Sequence, residues 1–367
     1  MKKMILLILC LSLCIHLPIG SAEVTTSFSS TGLPARFSWR DVDGIDYTTT
    51  VKNQRPAPTC EAYALISALE TMVQYQVGYP FECDLSEAHL FFYPGGTTDW
   101  GVNVTAAVEY LIDHGVPDEG CFPDPHRPYD FPFQSLPGWE ERTVKIMEWG
   151  WVDNDVDAIK QALYDHGPLT ICMLTRNDFF YYRGGVYTPR GPVKGGHVIT
   201  ITGWDDIHQC WEIRNTGGDE WGEEGYIRVA YTADHPDHPF FWPFYGGTGI
   251  LYIDGVYGTF QPDVPKISIL QPAIQHTYLR GREIPTLFSR LPVQAVAPRL
   301  FGSMDIVLNT ANTDLVEFYV DGEFICADDQ PPFDWHIDAS FGLHTIETYA
   351  YNQQNVSYDI IDVFVFW

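Results

Sequence analysis

A chain of 367 residues, 45% hydrophobic and 15% aromatic, is long enough for two packed domains and too apolar to be disordered. Its formal charge of −27 argues against nucleic acid and anionic membrane surfaces as partners, because phosphate recognition needs clustered Lys and Arg. Beyond residue 22 no stretch reaches the roughly 18 uninterrupted apolar residues of a membrane span, which argues against membrane insertion.

Met1-Lys2-Lys3, the apolar run Met4 to Leu17 and the small residues Gly20-Ser21-Ala22 have the three regions of a secretory signal peptide. The expectation is an exported, extracellular protein with signal peptide 1–22 and a polar linker over 23–32. Cysteines follow at 60, 83, 121, 172, 210 and 326, scattered and without C-x-x-C spacing, so neither a disulfide scaffold nor a zinc site is expected.

Residues 33–256 mix helical and strand periodicities and hold the candidate chemistry. After Cys60, the residues Leu65, Ile66, Leu69, Met72 and Val73 recur at three- and four-residue spacing, predicting an amphipathic helix over 60–75 with Thr59 as N-cap. Cys60 then stands in the first turn, where free N–H groups and the helix dipole stabilise a thiolate. In "YPGGTTDWGVNV" either Gly95-Gly96 or Gly101 is expected to offer a backbone edge to an extended peptide, and the spacing to the helix from Thr105 favours Gly101.

"DNDVD" at 153–157 reads as an acidic helix start rather than a calcium loop, and His235 and His238 lack zinc spacing, so neither metal nor cofactor is expected. A thiol nucleophile needs a base, and His197 in "KGGHVITITGW" opens an alternating strand just after glycines. Gly196 keeps that side of the pocket open. Asn215 closes the next strand-like run, where its amide can orient the imidazole and fix its tautomer.

A Gly- and Pro-rich linker is expected at 257–266. From 267 to 367 short alternating strands, with a Val-Asp-Gly-Glu hairpin at 320–323, predict a β-sandwich.

In chain order, "FSWR" (37–40), "VKNQ" (51–54), Cys60 six residues after Gln54, "LSEAHL" (85–90), "AIKQALYDHGPLTICM" (158–173), "GGVY" (184–187), "GGHVITITGW" (195–204) and "WEIRNTGGDEWGEEGYIRV" (211–229) resemble the landmarks of papain-like cysteine peptidases. His197 and Asn215 follow Cys60 by 137 and 155 residues. The resemblance implies an α+β, two-lobe fold, a helical lobe against a β-rich one, acting on polypeptide substrates through a thioester acyl-enzyme. It implies Cys60 as nucleophile, His197 as its ion-pair partner, Asn215 as orienter, Gln54 with the Cys60 N–H as oxyanion hole, and Trp221 as a shield over the His–Asn bond. The C-terminal segment resembles the immunoglobulin-like modules that follow secreted prokaryotic enzymes, which serve as spacers or bind surfaces and polymers.

Three positions depart from the family pattern. Ala57 replaces a disulfide cysteine. Glu61 replaces the aromatic after the nucleophile, and its charge is expected to raise the Cys60 pKa. Gly217 replaces a tryptophan beside the His–Asn pair. The alternative is a catalytically impaired papain-fold protein that binds peptides or adheres to surfaces.

Overall fold

The computed structural model describes residues 32–55, 57–81, 83–97, 99–124, 135–234, 240–243, 247–260, 264–274, 276–285, 297–353 and 355–366. The expected signal peptide, nearly all of the linker 23–32, Pro56, His235 and His238 lie outside them. The peptidase-like region contains, in order, β1 (Arg36–Ser38), α1 (Cys60–Val77), α2 (Glu87–Phe92), α3 (Val104–Asp113), β2 (Val116–Pro117), β3 (Thr143–Lys145), β4 (Glu148–Trp151), α4 (Val156–His166), β5 (Leu169–Arg176), β6 (Val186–Tyr187), β7 (Val193–Asp205), β8 (Cys210–Arg214), β9 (Tyr226–Ala230), β10 (Ile250–Asp254) and β11 (Tyr257–Gly258).

Helix α1 differs from its expected amphipathic form. Every residue from Ala62 to Thr71 is buried, as are Val73 and Gln74, so the helix is enclosed on all sides. Its polar residues are tolerated because each finds partners. The Glu70 carboxylate accepts from Thr49 Oγ1 at 2.6 Å, Lys52 Nζ at 2.9 Å and the Leu85 N–H at 2.9 Å. Gln74 donates to the Tyr47 carbonyl at 2.8 Å and accepts from the Phe81 N–H at 2.7 Å. Burying Leu65, Ile66, Leu69 and Val73 contributes about 1.5–3 kcal/mol each. Gly78, at φ 86°, ends the helix in the left-handed conformation.

The main sheet runs β4-β10-β5-β7-β8-β9-β6, with β1 also on β7. Alternation along β5 and β7 divides the interior into two cores: Cys172 and Val198 face the helices, whereas Ile171, Ile199 and Ile201 face the β-rich side. Helix α1 is tied to β7 by Thr200 Oγ1, which donates to the Ala64 carbonyl at 3.0 Å and lies 2.8 Å from Ser67 Oγ. Asp155 N-caps α4, accepting from the N–H groups of Asp157 and Ala158, and this accounts for the acidic run there.

The segment expected as a linker carries strand at both ends. Tyr257–Gly258 pairs with β3, Phe260 packs on the helical core, and β12 (Lys266–Gln271) begins at Lys266. The remaining strands are β13 (Thr277–Leu279), β14 (Arg282–Ile284), β15 (Arg299–Phe301), β16 (Met304–Ala311), β17 (Leu315–Val320), β18 (Glu323–Asp328), β19 (Asp334–Ile337), β20 (Gly342–Tyr351) and β21 (Val356–Val365). One sheet has the order β12-β16-β19 and the other β14-β13-β15-β21-β20-β17-β18. Ile269, Ile306 and Ile337 of the first meet Ile346, Ile361 and Val363 of the second, making a β-sandwich. Its β17–β18 hairpin turns at Asp321 and Gly322, at φ 53° and 78°, as the Asp-Gly pair predicts.

The sandwich is docked on the helical lobe. Arg142 donates from Nη1 to the Val356 carbonyl at 2.7 Å and from Nε to Asp118 Oδ2 at 2.8 Å. A Cβ on Gly120 would lie 2.3 Å from Ser357 Oγ, so the side-chain-free backbone permits this approach. A cavity of about 460 Å³ remains, lined by Arg55, Glu87, Asp124, Lys266 and Tyr358 among others.

Candidate active site

Cys60 is the first residue of α1, so its N–H has no acceptor within the helix. Thr59 occupies the N-cap position but, contrary to expectation, its hydroxyl caps nothing: Oγ1 is buried without a hydrogen-bond partner among the described residues. The Cys60 sulfur instead accepts from the Val198 N–H on β7, one residue beyond His197, which brings the thiol to the strand that carries the imidazole.

His197 Nε2 lies 2.9 Å from Asn215 Oδ1. A carbonyl oxygen only accepts, so Nε2 carries the proton and Nδ1 is the nitrogen left free to take one. Asn215 is held by its own N–H, which donates to the Gly225 carbonyl at 2.9 Å, and it sits immediately after β8. Gln54 is fastened to the same turn: its N–H donates to the Thr216 carbonyl at 2.8 Å, Thr216 Oγ1 donates to its Oε1, and its Nε2 donates to the Ala57 carbonyl at 2.7 Å. The structure therefore brings Gln54, Cys60, His197 and Asn215 to one junction between the lobes.

Electrostatics at this junction oppose charge. Burial pushes the Cys60 thiol well up, and neighbouring Glu61 pushes it further, against the Val198 N–H. Burial pulls the His197 imidazole down, against the Asn215 bond. Both shifts favour the uncharged form of the group they act on.

Trp221, the expected shield, belongs to an aromatic stack beside the imidazole. Phe179 packs edge-on against His197 with centroids 5.9 Å apart, and Trp221 stands behind Phe179 at 4.9 Å. Of the two rings in this stack, Phe179 is the one in contact with the imidazole. Its only sequence signal was an aromatic run, "DFFYYRGG", which has no diagnostic spacing.

Gly101 cannot offer a free backbone edge, because its N–H donates to the Thr97 carbonyl at 2.8 Å and its carbonyl accepts from the Thr97 N–H at 3.0 Å. What it offers is room, since a Cβ there would lie 2.7 Å from Glu61 Oε1. Gly196 is exposed, pairs with Leu174 and adds no side chain beside His197. A Cβ on Gly217 would meet Asn215 Nδ2 at 3.3 Å, so position 217 lies against that amide, and Asn215 is buried although no side chain stands there. Among the described residues no group of three or more His, Cys, Asp or Glu side chains could hold a metal ion.

The structure thus sets a thiol at a helix N-terminus beside the strand that carries an imidazole bonded to an amide. A family model described as papain family cysteine protease matches residues 33–237, and the chain belongs to that family. Cathepsin S of Mus musculus is 27% identical over 239 residues, covering 61% of this chain and 67% of that one. Cathepsin B-like cysteine proteinase 6 of Caenorhabditis elegans is 40% identical over 86 residues, covering 23% of each chain. The chain thus spans between about a quarter and two thirds of the length of these curated relatives. Xylellain, a cysteine protease from Xylella fastidiosa, shares the fold at TM-score 0.50 and 21% identity, covering 61% of this chain and 87% of that one. The fold is α+β, a papain-like two-lobe unit followed by a β-sandwich.

Proposed function

We propose that this chain is a secreted cysteine endopeptidase. The observation that carries the reading is the His197 Nε2–Asn215 Oδ1 bond, which aims Nδ1 away from the amide while the Cys60 sulfur is held on the next residue's N–H. In the proposed cycle the thiol proton passes to His197 Nδ1 as the sulfur attacks a peptide carbonyl. The Cys60 N–H and a Gln54 amide N–H face the developing oxyanion, an arrangement whose single donors are worth about 10²–10³ in rate. The C–N bond breaks, the amine leaves with the imidazolium proton, and water cleaves the thioester with His197 as base.

Export rests on the signal-like pattern of residues 1–22. We further propose that the C-terminal sandwich is immunoglobulin-like and binds a cell-surface or polymeric partner. A catalytically impaired, peptide-binding protein is the second reading, favoured by the closed backbone of Gly101 and the carboxyl beside the thiol.

The deciding experiment is labelling of the mature protein by an epoxide or vinyl-sulfone inhibitor across pH 4–9, with mass mapping. Labelling confined to Cys60 and lost in Cys60→Ala and His197→Ala is expected. An unlabelled Cys60 in folded protein at every pH would remove the peptidase reading.

A further inference from the structure

We infer that Glu61 is a catalytic residue of this site, a carboxyl that hydrogen-bonds the Cys60 sulfur and by gaining or losing its own proton permits or opposes formation of the thiolate. The inference deepens the peptidase reading, on which it rests for its biological meaning, and concerns the regulation of that same nucleophile.

Geometry carries it. The Cys60 thiol donates to Glu61 Oε2 at 3.6 Å, within hydrogen-bond reach for sulfur, and the same pair of atoms is bonded with the roles reversed once the carboxyl is protonated and the sulfur ionised. The other side of the carboxyl is seated on the Thr97–Val102 turn, accepting from the Val102 N–H and filling the space that Gly101 leaves by lacking a Cβ. A side chain merely projecting from a helix first turn would need no such seat. The titratable neighbours are Cys60 on its own helix, Cys172 on β5, and His197, whose strand neighbour Val198 holds the sulfur. Asp99, in the turn, is exposed.

Burial raises the carboxyl to about 7, so it is mostly protonated under mildly acidic conditions. Protonated, Oε2–H donates to the sulfur and stabilises the thiolate formed when the thiol proton moves to His197 Nδ1. Glu61 keeps its own proton throughout the cycle. Ionised, the same oxygen places a negative charge against the sulfur and disfavours that transfer, so the two groups titrate as one coupled unit. The negative charge expected from the sequence to impair the enzyme thus acts only on the alkaline side.

The test is the rate of Cys60 alkylation by iodoacetamide, mapped by mass spectrometry, from pH 5 to 9 in the full chain, Glu61→Gln and Glu61→Ala, with folding checked by circular dichroism. Below pH 6 the wild type and Glu61→Gln are expected to agree within about twofold, because both present a hydrogen-bond donor to the sulfur. At pH 8.5 Glu61→Gln should react about tenfold faster, freed of the adjacent charge. Glu61→Ala, with neither donor nor charge, should be slower than Glu61→Gln throughout. Superimposed wild-type and Glu61→Gln profiles overturn the inference. Peptide hydrolysis is followed in the same samples: profiles that separate without any cleavage overturn the peptidase reading alone, and cleavage with superimposed profiles overturns the role of Glu61 alone.

Discussion

Arg142 reaches 214 positions along the chain to donate a 2.7 Å hydrogen bond to the carbonyl of Val356, while its Nε holds Asp118. Both charged groups are largely buried, with side-chain exposures of 10% and 18%. Removing one member of such a pair leaves an uncompensated charge, a loss of about 3–5 kcal/mol. Arg142→Ala is therefore expected to loosen the sandwich from the helical lobe. Calorimetry should show the unfolding transition shifting down or splitting, and limited proteolysis between the two units should accelerate. An unchanged transition with an unchanged cleavage rate would mean that the contact holds nothing together.

Acid sensitivity is expected to centre on His89. Its ring is completely buried, stacked on Tyr93 at 4.0 Å and against Trp139 at 4.5 Å, and neither nitrogen has a hydrogen-bond partner among the described residues. Burial, helped by His114, lowers it from 6.5 to about 3. The folded pKa lies below the unfolded one, so the stability it contributes is present above pH 6.5 and is lost as pH falls toward 3. Between pH 7 and 4 this amounts to about 3 kcal/mol. His89→Phe keeps the packing and has nothing to protonate. Denaturant titrations at the two pH values should show its stability difference reduced by about that amount, and an equal difference in both proteins would clear His89.

Gly101→Ala should strain the site from outside the helix. The position has φ 75°, which costs a residue with a Cβ about 1–2 kcal/mol, and the added methyl would meet Glu61 Oε1 at 2.7 Å. Urea denaturation should report that loss. The carboxyl should also leave its seat, moving the pH dependence of Cys60 alkylation toward that of Glu61→Ala. A destabilised variant with the wild-type pH profile would show that Glu61 does not depend on the turn.

Much of this arrangement was legible from residue pattern. The Asp321-Gly322 hairpin, the alternating strand after His197 and the thiol at a helix start are local features, and local chemistry decides them. The misread features depend on partners distant in sequence. The spacing of Leu65, Ile66, Leu69, Met72 and Val73 marks one buried face of helix α1, but the burial of Glu70 and Gln74 as well depends on Lys52, Leu85, Tyr47 and Phe81. Gly101 was read as a free edge because nothing in its neighbourhood announces that Thr97 takes both of its backbone groups. Phe179 was missed because a ring's role over an imidazole is set by tertiary packing, not by spacing.

The cysteines at 60, 83, 121, 172, 210 and 326 are all free thiols, four of them buried. A thiol nucleophile exposed to oxygen is inactivated by oxidation, and reductants that protect it dissolve the disulfides on which many exported proteins depend. Here the two demands do not conflict: millimolar thiol that keeps Cys60 reduced has no cross-link among these positions to break, so the conditions that preserve the nucleophile also leave the scaffold intact.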